Sequence, residues 1–206
     1  MRRVARWEPD AQGRLVVAAL ELFAERGYDQ TTVADVADRA GVTERTFFRY
    51  FADKREVLFG SGQAWENQIV AGIEDADPSL APLDVVAAGL VAGAALLDEH
   101  RAFALRRAAV LAATPSLQER ELLKMTKLAD DIALTLGKRG VADFDARLAA
   151  ETGVAAFRVA FARWIADASG HLSLGEHITE VASALRSLAG GQRQQFGRQP
   201  SDRDRG

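Results

Sequence analysis

The chain has 206 residues, is 48% hydrophobic and carries a formal net charge of −3 at pH 7, values typical of a globular protein with a buried core. It contains no cysteine, so disulfides, thiolate metal sites and thiol nucleophiles are excluded. The N-terminus is not apolar and no apolar run reaches about 18 residues, so we expect a cytoplasmic protein without signal peptide or membrane span.

The charge is not spread evenly along the chain. Residues 1–58 carry ten Arg or Lys and ten Asp or Glu, so residues 59–206 hold the whole negative excess. Seven of the ten basic side chains in this segment form two groups: Arg2, Arg3 and Arg6, and then Arg45, Arg49, Lys54 and Arg55. Local positive groups on a neutral segment are compatible with DNA binding, because attraction to phosphates depends on the local potential.

A basic arm and a first helix open the chain. Residues 1–8 either lie in the minor groove of a bound DNA or form a solvated terminus. Asp10 is expected to cap the first helix and Gly27 to end it, with a buried stripe formed by Leu15, Ala19, Leu22 and Phe23.

Two short helices joined by a tight turn are predicted within residues 31–59. Thr32 and Asp35 have the spacing of a capping box, and Gly41 follows at the position where a left-handed residue ends a helix. Thr43 is then placed to cap the second helix. This arrangement is a helix-turn-helix.

The second of these helices divides into an inward and an outward face. Phe47 and Phe51, four residues apart, can anchor it on the domain, while the outward donors are Arg45, Thr46, Arg49 and Tyr50. Donors of this kind read base edges in the major groove of DNA. The alternative is a solvated polar face on an ordinary bundle helix. The combination of anchors and donors favours DNA binding.

The run from Thr32 to Leu58 resembles the N-terminal domain of the TetR family of bacterial transcriptional regulators. The resemblance rests on VADRAGVT, TFFRYF and the following DK, and it extends back to LELFAERGY. It implies an all-α fold, in which a three-helix DNA-binding domain (residues 1–58) precedes a larger helical domain for ligand binding and dimerisation. Phe48 departs from the family, which usually has a tyrosine there whose hydroxyl often reaches the DNA.

The residues expected to contact DNA are Thr32, Thr43, Arg45, Thr46, Phe48, Arg49, Tyr50 and Lys54. Arg45, Thr46 and Arg49 are assigned to bases, and the remaining polar side chains to phosphates. Lys54 is expected to begin a helix, so that its ammonium group and the free N–H groups bind one phosphate together. Phe48 has no hydroxyl, so the DNA contact that the family's tyrosine makes is either absent here or made by Arg49 or Tyr50.

From residue 54 onward the chain is predicted to be helical, because it has no alternating β-branched runs. The predicted helices span residues 54–76, 83–99, 103–113, 116–136, 143–167 and 175–189, and the first of them connects the two domains. Residues 59–190 form the second domain. The polar, glycine-rich residues 191–206 are predicted to be a disordered tail.

An effector pocket is predicted where arginines interrupt apolar stripes. Such an arginine is costly to bury unless it is paired or bound to an anion, so Arg158 and one of Arg106 or Arg107 can bind an anionic group of the effector. Alternatively, Arg158 lies at a subunit interface or pairs with an acidic neighbour, and the aromatic residues belong to the core. The candidate lining residues are Trp65, Ile69, Phe103, Arg106, Arg107, Val110, Phe157, Arg158 and Phe161.

The segments RRAAVLAATPSLQERELLKMTKLADDIAL and DARLAAETGVAAFRVAFARW resemble an actinobacterial branch of the TetR family that includes mycofactocin-system regulators. That branch is associated with ligands similar to acyl-coenzyme A, so the resemblance implies a small apolar or acyl-type effector; a lipophilic drug or metabolite is the alternative. A homodimer that binds a palindromic operator is also implied. The last two predicted helices, residues 143–167 and 175–189, are expected to form it, with a seam of Ile178, Val181, Leu185 and Leu188 on the second.

An enzyme is the competing class of protein. The histidines His100, His171 and His177 occur in no Glu-x-x-His or HExxH pattern, and no nucleophile elbow is present. We therefore expect no catalysis, no metal and no cofactor. A further alternative is a TetR-like helical protein that has lost DNA binding and acts as a ligand-binding or interaction module.

Overall fold

A computed structural model describes residues 10–60 and 62–196. In these ranges the α-helices are α1 (Ala11–Arg26), α2 (Val33–Arg39), α3 (Glu44–Tyr50), α4 (Gln63–Glu74), α5 (Pro82–Glu99), α6 (Arg101–Ala112), α7 (Pro115–Lys138), α8 (Asp143–Ala166) and α9 (Leu174–Phe196). A short 3-10 helix, Glu56–Leu58, lies between α3 and α4. The described ranges contain no strand, and the all-α prediction is confirmed. No helix in this part of the chain combines the length and hydrophobicity that a membrane span requires.

The chain divides into two compact units. The first contains the described residues up to Asn67 together with Glu99–Lys127, and the second contains Gln68–Asp98 and the described residues from Leu128 onward. The division falls within α4 and α7, and not at the expected boundary between residues 58 and 59. The reason is that α6 packs on α1, which brings α6 and the first part of α7 into the first unit.

The first unit has one hydrophobic core, to which α1, α2, α3, α6 and α7 all contribute. Phe47 of α3 is fully buried in this core, and Leu117 of α7 is buried in it as well. Val110 of α6 belongs to the same core, and Phe103 packs against it. Both α6 residues were predicted to line an effector pocket, but here they hold α6 against the helix-turn-helix segment.

The helix predicted for residues 54–76 is interrupted, which corrects that prediction. Phe51 ends α3 in an extended conformation, and the next helical residues, Glu56–Leu58, form only a 3-10 turn. Gly60 approaches Phe51 so closely that an added Cβ would lie 2.7 Å from the phenyl ring. Consequently α4 begins only after this region, and Lys54 does not begin a helix.

In the second unit α8 and α9 pack against each other, and part of the predicted dimer seam is buried within the chain. Ile178 is 1% exposed and Val181 is 8% exposed, so neither side chain is accessible to a partner. Leu188 of the same seam is 72% exposed. The periodicity of α9 was identified correctly, but its N-terminal half faces the core of its own chain.

The C-terminal helix is longer than predicted. α9 continues to Phe196, into the segment 191–206 that was predicted to be a disordered tail. Residues 197–206 and the basic arm of residues 1–8 lie outside the described part of the chain.

α4 and α5 approach each other closely in the second unit. A Cβ added at Gly72 would lie 2.7 Å from the Cβ of Ala92, and one added at Gly89 would lie 2.7 Å from the carbonyl oxygen of Ile69. Real side chains do not tolerate contacts of this length, so the two helices can pack in this way only because both positions lack a side chain.

Candidate nucleic-acid interface

α2 begins with the predicted capping box and ends in the predicted turn. The Thr32 Oγ1 atom accepts a hydrogen bond from the Asp35 N–H at 3.1 Å, and Asp35 Oδ2 accepts one from the Thr32 N–H at 2.8 Å. Gly41 follows α2 with a φ of 68°, a conformation that strains residues with a side chain. The Val42 N–H then donates to the Ala37 carbonyl at 2.9 Å, which closes the turn. The predicted helix-turn-helix is therefore confirmed.

α3 is attached to the first unit by its inward aromatic side chains. At its N-terminus, Thr43 Oγ1 accepts a hydrogen bond from the Thr46 N–H at 3.2 Å. Phe47 is fully buried, and its ring centroid lies 5.3 Å from that of Phe51, which is itself 2% exposed. These contacts fix the rotation of α3 about its axis, because they direct the residues between the anchors outward.

The outward face of α3 presents a compact group of side chains. Arg45, Thr46, Phe48 and Arg49 line one open depression. Residues 45, 48 and 49 are three and four positions apart, so they lie on one side of the helix. Arg45 is exposed and forms no ion pair or hydrogen bond with another described residue. Its guanidinium donors are therefore available to a ligand.

Glu44 also belongs to this exposed surface, although it is not among the residues predicted to contact DNA. It is exposed in the first turn of α3, four residues before Phe48. An acidic side chain in the first turn of a helix interacts favourably with the helix dipole. That role alone accounts for Glu44, so the sequence gives no separate reason to assign it to DNA. A carboxylate in the major groove can accept a hydrogen bond from the amino group of cytosine.

Arg49 and Tyr50 orient each other at the end of α3. One Arg49 amino group donates to the Tyr50 hydroxyl at 3.0 Å, and the guanidinium carbon lies 4.8 Å from the centroid of the tyrosine ring. The stacking and the hydrogen bond restrict two long side chains that would otherwise lose more rotamer freedom on binding. Both residues were assigned to DNA, and the structure places them side by side on an exposed surface.

Lys54 is partly buried and has a structural role in the first unit. Its Nζ atom donates to the carbonyl oxygens of Tyr28 at 2.7 Å and Thr31 at 2.8 Å. Burial lowers the pKa of the Lys54 ammonium below its usual value, and the nearby Asp29 carboxylate partly opposes this shift. The predicted phosphate site at a helix N-terminus is wrong in its geometry, because no α-helix begins here. An ammonium has three donors, so one remains for a phosphate.

Thr32 uses its own donors within the capping box. Its N–H and its hydroxyl both donate to Asp35 Oδ2, at 2.8 Å and 2.7 Å. A phosphate contact from Thr32 therefore requires that one of these bonds be exchanged. The hydroxyl of Thr43 lies 3.1 Å from that of Thr46, so one of these two hydroxyls keeps a free proton.

Comparison with known proteins agrees with this geometry. The family model for bacterial regulatory proteins of the tetR family matches residues 15–59, which include most of α1 and all of α2 and α3. The putative mycofactocin biosynthesis transcriptional regulator MftR of Mycobacterium tuberculosis is 27% identical over 191 residues, which cover 90% of this chain and 96% of that protein. Residues 15–59 therefore form a tetR-family N-terminal domain.

Two examples of solved structures have the fold of this chain. FadR of Thermus thermophilus, in complex with lauroyl-CoA, is 23% identical with a TM-score of 0.54, over 95% of this chain and 100% of that chain. SmeT of Stenotrophomonas maltophilia, solved as a complex with triclosan, is 17% identical with a TM-score of 0.58, over 84% of this chain and 90% of that chain.

The residues predicted to bind an effector do not gather in either unit of the chain. Trp65, Phe103 and Val110 belong to the first unit, whereas Ile69 and Phe157 belong to the second. The hydrophobic members were selected by helical periodicity, which identifies a buried face without identifying what covers it. All five are wholly or largely buried, as core residues are.

The three predicted arginines are not enclosed in an apolar pocket. Arg106 is exposed and donates to the Ala102 carbonyl at 3.3 Å, and Arg158 is exposed on α8. Phe161, one turn from Phe157, is half-buried and has its ring centroid 5.8 Å from that of Phe157. An arginine on the solvent side of an amphipathic helix carries no burial cost, so its charge alone does not indicate an anion site.

Arg107 instead belongs to a cluster that connects α6 and α7 with the end of the helix-turn-helix segment. It donates to the Leu58 carbonyl at 2.9 Å and to Glu121 at 2.7 Å. Arg120 of α7 bonds both carboxylate oxygens of Glu56, at 2.6 Å and 3.0 Å. Each of the two guanidinium carbons lies 5.0 Å from the centroid of the Phe59 ring. No local sequence signal predicts this cluster, since its partners are up to 64 residues apart.

Proposed function

We propose that this TetR-family protein is a ligand-responsive transcriptional repressor that binds a palindromic DNA operator as a homodimer. The observation that carries the proposal is the outward face of α3, where Arg45, Phe48 and Arg49 line one depression on a helix anchored by buried Phe47. A helix that is held from behind by a core and presents donors outward fits the major groove. A role on bacterial DNA implies a location in the cytoplasm.

The proposed DNA contacts divide into base contacts and phosphate contacts. Arg45 and Arg49 each offer a planar set of donors that matches the two acceptors of guanine, and Thr46 lies on the same depression. Tyr50 is 40% exposed beside Arg49, where its ring and hydroxyl can reach the DNA backbone. Thr32, Thr43 and Lys54 add phosphate contacts through the donors that remain after their internal bonds.

The proposed dimer interface uses an exposed apolar stripe along α8. Phe144 is 77% exposed, Leu148 is 55% exposed and Val159 is 54% exposed. Positions 144, 148, 155, 159 and 162 repeat at intervals of three, four and seven residues, and Ala155 and Ala162 are also exposed. Glu151 and Thr152 interrupt the stripe between positions 148 and 155, and exposed apolar side chains on both sides of this interruption are typical of an interface between subunits. Exposed Leu188 of α9 extends the proposed surface.

The proposed effector is a largely apolar molecule, with a long-chain acyl-coenzyme A as the first candidate. Support comes from the ligands named for two proteins of the same fold, lauroyl-CoA and triclosan. Lauroyl-CoA joins a hydrophobic acyl chain to a polyanionic coenzyme A group, whereas triclosan is largely hydrophobic and keeps a lipophilic drug as the alternative. We propose that the site lies among the apolar helices of the second unit, with Phe157 and Phe161 as candidate contacts.

DNA binding is tested by selecting sequences from a random duplex library with the full-length protein, followed by fluorescence anisotropy at several salt concentrations. We expect a palindromic consensus and an affinity that falls steeply with salt. The double variant Arg45→Ala/Arg49→Ala should lose the enrichment, while Arg26→Ala on α1 should keep it. If the wild-type protein enriches no sequence, the alternative of a ligand-binding protein without DNA binding is favoured.

The effector is tested on the protein–operator complex at fixed salt. We expect lauroyl-CoA to weaken operator binding by about 5-fold to 150-fold, the range typical of allosteric coupling. Free coenzyme A and laurate are the matched controls, because they separate the coenzyme A group from the acyl chain. A lauroyl-CoA that binds the protein by calorimetry and leaves operator affinity unchanged would contradict this mechanism.

A further inference from the structure

Phe48 is an exposed aromatic side chain on a face whose other members are polar. It is 55% exposed, although Arg45, Thr46 and Arg49 line the same depression. Its ring stands edge-on to that of fully buried Phe47, with a centroid distance of 5.5 Å and an interplanar angle of 79°. This edge-to-face contact holds the Phe48 ring in one orientation. Folding of the isolated chain buries less than half of the side chain.

The major groove contains one apolar group that such a ring can contact. Among the four bases, only thymine presents a methyl group there, at C5, and phenylalanine is one of the side chains that pack on it. A phenyl ring has no hydrogen-bonding atom, so Phe48 cannot read the donors and acceptors of the other base edges. Its contribution to base recognition is therefore restricted to thymine.

The charges around Phe48 favour DNA over an apolar protein surface. Arg45 lies one helical turn before it and Arg49 follows it directly, so the ring is flanked by two positive groups. An apolar partner would have to desolvate both guanidinium groups, whereas DNA supplies phosphates and guanine acceptors for them. The same geometry allows the two arginines to bond bases on either side of a thymine that Phe48 contacts.

Resting on the proposed operator binding, we propose that Phe48 is a specificity-determining residue that recognises the C5 methyl group of a thymine in each operator half-site. The ring excludes water from the methyl group, and the neighbouring arginines read the adjacent bases. Phe48 thus does more than lack the hydroxyl found in relatives. It selects thymine over cytosine and over uracil at one position.

The experiment replaces each operator thymine in turn by uracil, which removes one methyl group and leaves all hydrogen-bonding groups in place. For the wild-type protein, we expect one position in each half-site at which binding weakens about fourfold, the effect of removing one buried CH₂-sized group. Replacement in both half-sites should weaken binding by roughly the square of that factor. Affinities are measured by fluorescence anisotropy at fixed salt.

Three variants complete the test. Phe48→Ala should bind the thymine and uracil operators equally, whereas Phe48→Leu should keep part of the difference. Val17→Ala removes a side chain of α1 that is 50% exposed, and it should keep the full difference. Thermal unfolding followed by circular dichroism should show that the Phe48 variants still fold, with midpoints lowered by at most a few degrees, because they lose only the edge contact with Phe47.

The outcomes separate this inference from the proposed function. If the wild-type protein selects a palindromic consensus but no uracil replacement weakens binding, the inference is wrong and the repressor function stands. The same conclusion follows if Phe48→Ala retains the full uracil effect. If the wild-type protein selects no DNA, the proposed function fails and this inference fails with it.

Discussion

The ammonium group of Lys54 lies 2.7 Å from the carbonyl oxygen of Tyr28 and 4.1 Å from the centroid of the Tyr28 ring. Tyr28 follows α1 and Lys54 follows α3, so one side chain joins the two ends of the helix-turn-helix segment. The ring of Tyr28 is in turn 5.1 Å from that of Phe23 in the core of the first unit. Lys54 therefore connects the chain after α3 to the helix that supports it.

Lys54→Met is expected to destabilise the first unit, because it keeps the aliphatic stem but leaves the carbonyls of Tyr28 and Thr31 without their donor. Hydrogen bonds from charged groups contribute about 1.5–3 kcal/mol each, so the loss of both should lower the free energy of unfolding in urea by about 3–6 kcal/mol. Arg55→Met is the matched control, since its Asp53 partner is exposed and such pairs contribute at most about 1 kcal/mol. Equal losses for both variants would show that Lys54 has no special role.

The same variant measures whether Lys54 also holds a phosphate. If its third donor binds DNA, Lys54→Met should weaken all operator sequences alike and lower the salt slope by about 1. A variant that loses stability but keeps the slope would restrict Lys54 to its structural role.

Arg45→Ala is expected to relax base preference at one operator position in each half-site. A bidentate contact to guanine provides about 1–3 kcal/mol of discrimination, and Arg45 has no internal partner among the described residues that would compete for its donors. Arg49→Ala should have a similar effect at a neighbouring position, with an additional loss because Tyr50 loses its stacking partner. The measurement is a repeated selection from the random library with each variant. Unchanged consensus sequences for both would place the base-reading surface elsewhere.

The Arg120–Glu56 pair is expected to be energetically coupled, because it joins α7 to the turn after α3 through two hydrogen bonds between half-buried side chains. A double-mutant cycle with Arg120→Gln and Glu56→Gln should give a coupling free energy of about 1–2 kcal/mol in urea unfolding. The control cycle uses Arg163 and Glu180, a pair whose side chains are about half exposed, where we expect about 0–1 kcal/mol. A coupling free energy no larger than that of the control would show that the Arg120–Glu56 pair does not stabilise the first unit.

Leu148→Glu is expected to dissociate the proposed dimer, because it places a charge within the exposed apolar stripe of α8. Sedimentation should show monomers, and operator affinity should fall because each half-site is then bound independently. Leu134→Glu is the control, since Leu134 is 62% exposed on α7 and lies outside the stripe. An unaltered dimer in Leu148→Glu would exclude this face, and the test would then pass to Leu188 on α9.

Much of the fold could be predicted because its signals are local. Thr32, Asp35, Gly41 and Thr43 act on residues within a few positions, and their roles as caps and turn were predicted correctly. The inward orientation of Phe47 follows from helical periodicity and was also predicted. These features depend on residues that are close together in the sequence, so they can be predicted from it directly.

The remaining features depend on contacts between distant segments. Val110 and Phe103 were assigned to a pocket because nothing local reveals that α6 packs on α1. Lys54 was assigned to a phosphate because its carbonyl partners lie 23 and 26 residues earlier in the chain. Periodicity predicts which face of a helix is covered, whereas the identity of the covering element is a property of the tertiary fold.

The glycine contact between α4 and α5 restricts how the second unit can respond to a ligand. With no side chain at Gly72 or Gly89, the two backbones leave no space between them, and separating them would open a void that neither helix can fill. The second half of α4 and the facing part of α5 should therefore shift as one rigid lever. An effector that displaces α4 must therefore contact the two helices from outside their shared interface. A methyl group added at Gly89 would force the two helices apart without any ligand.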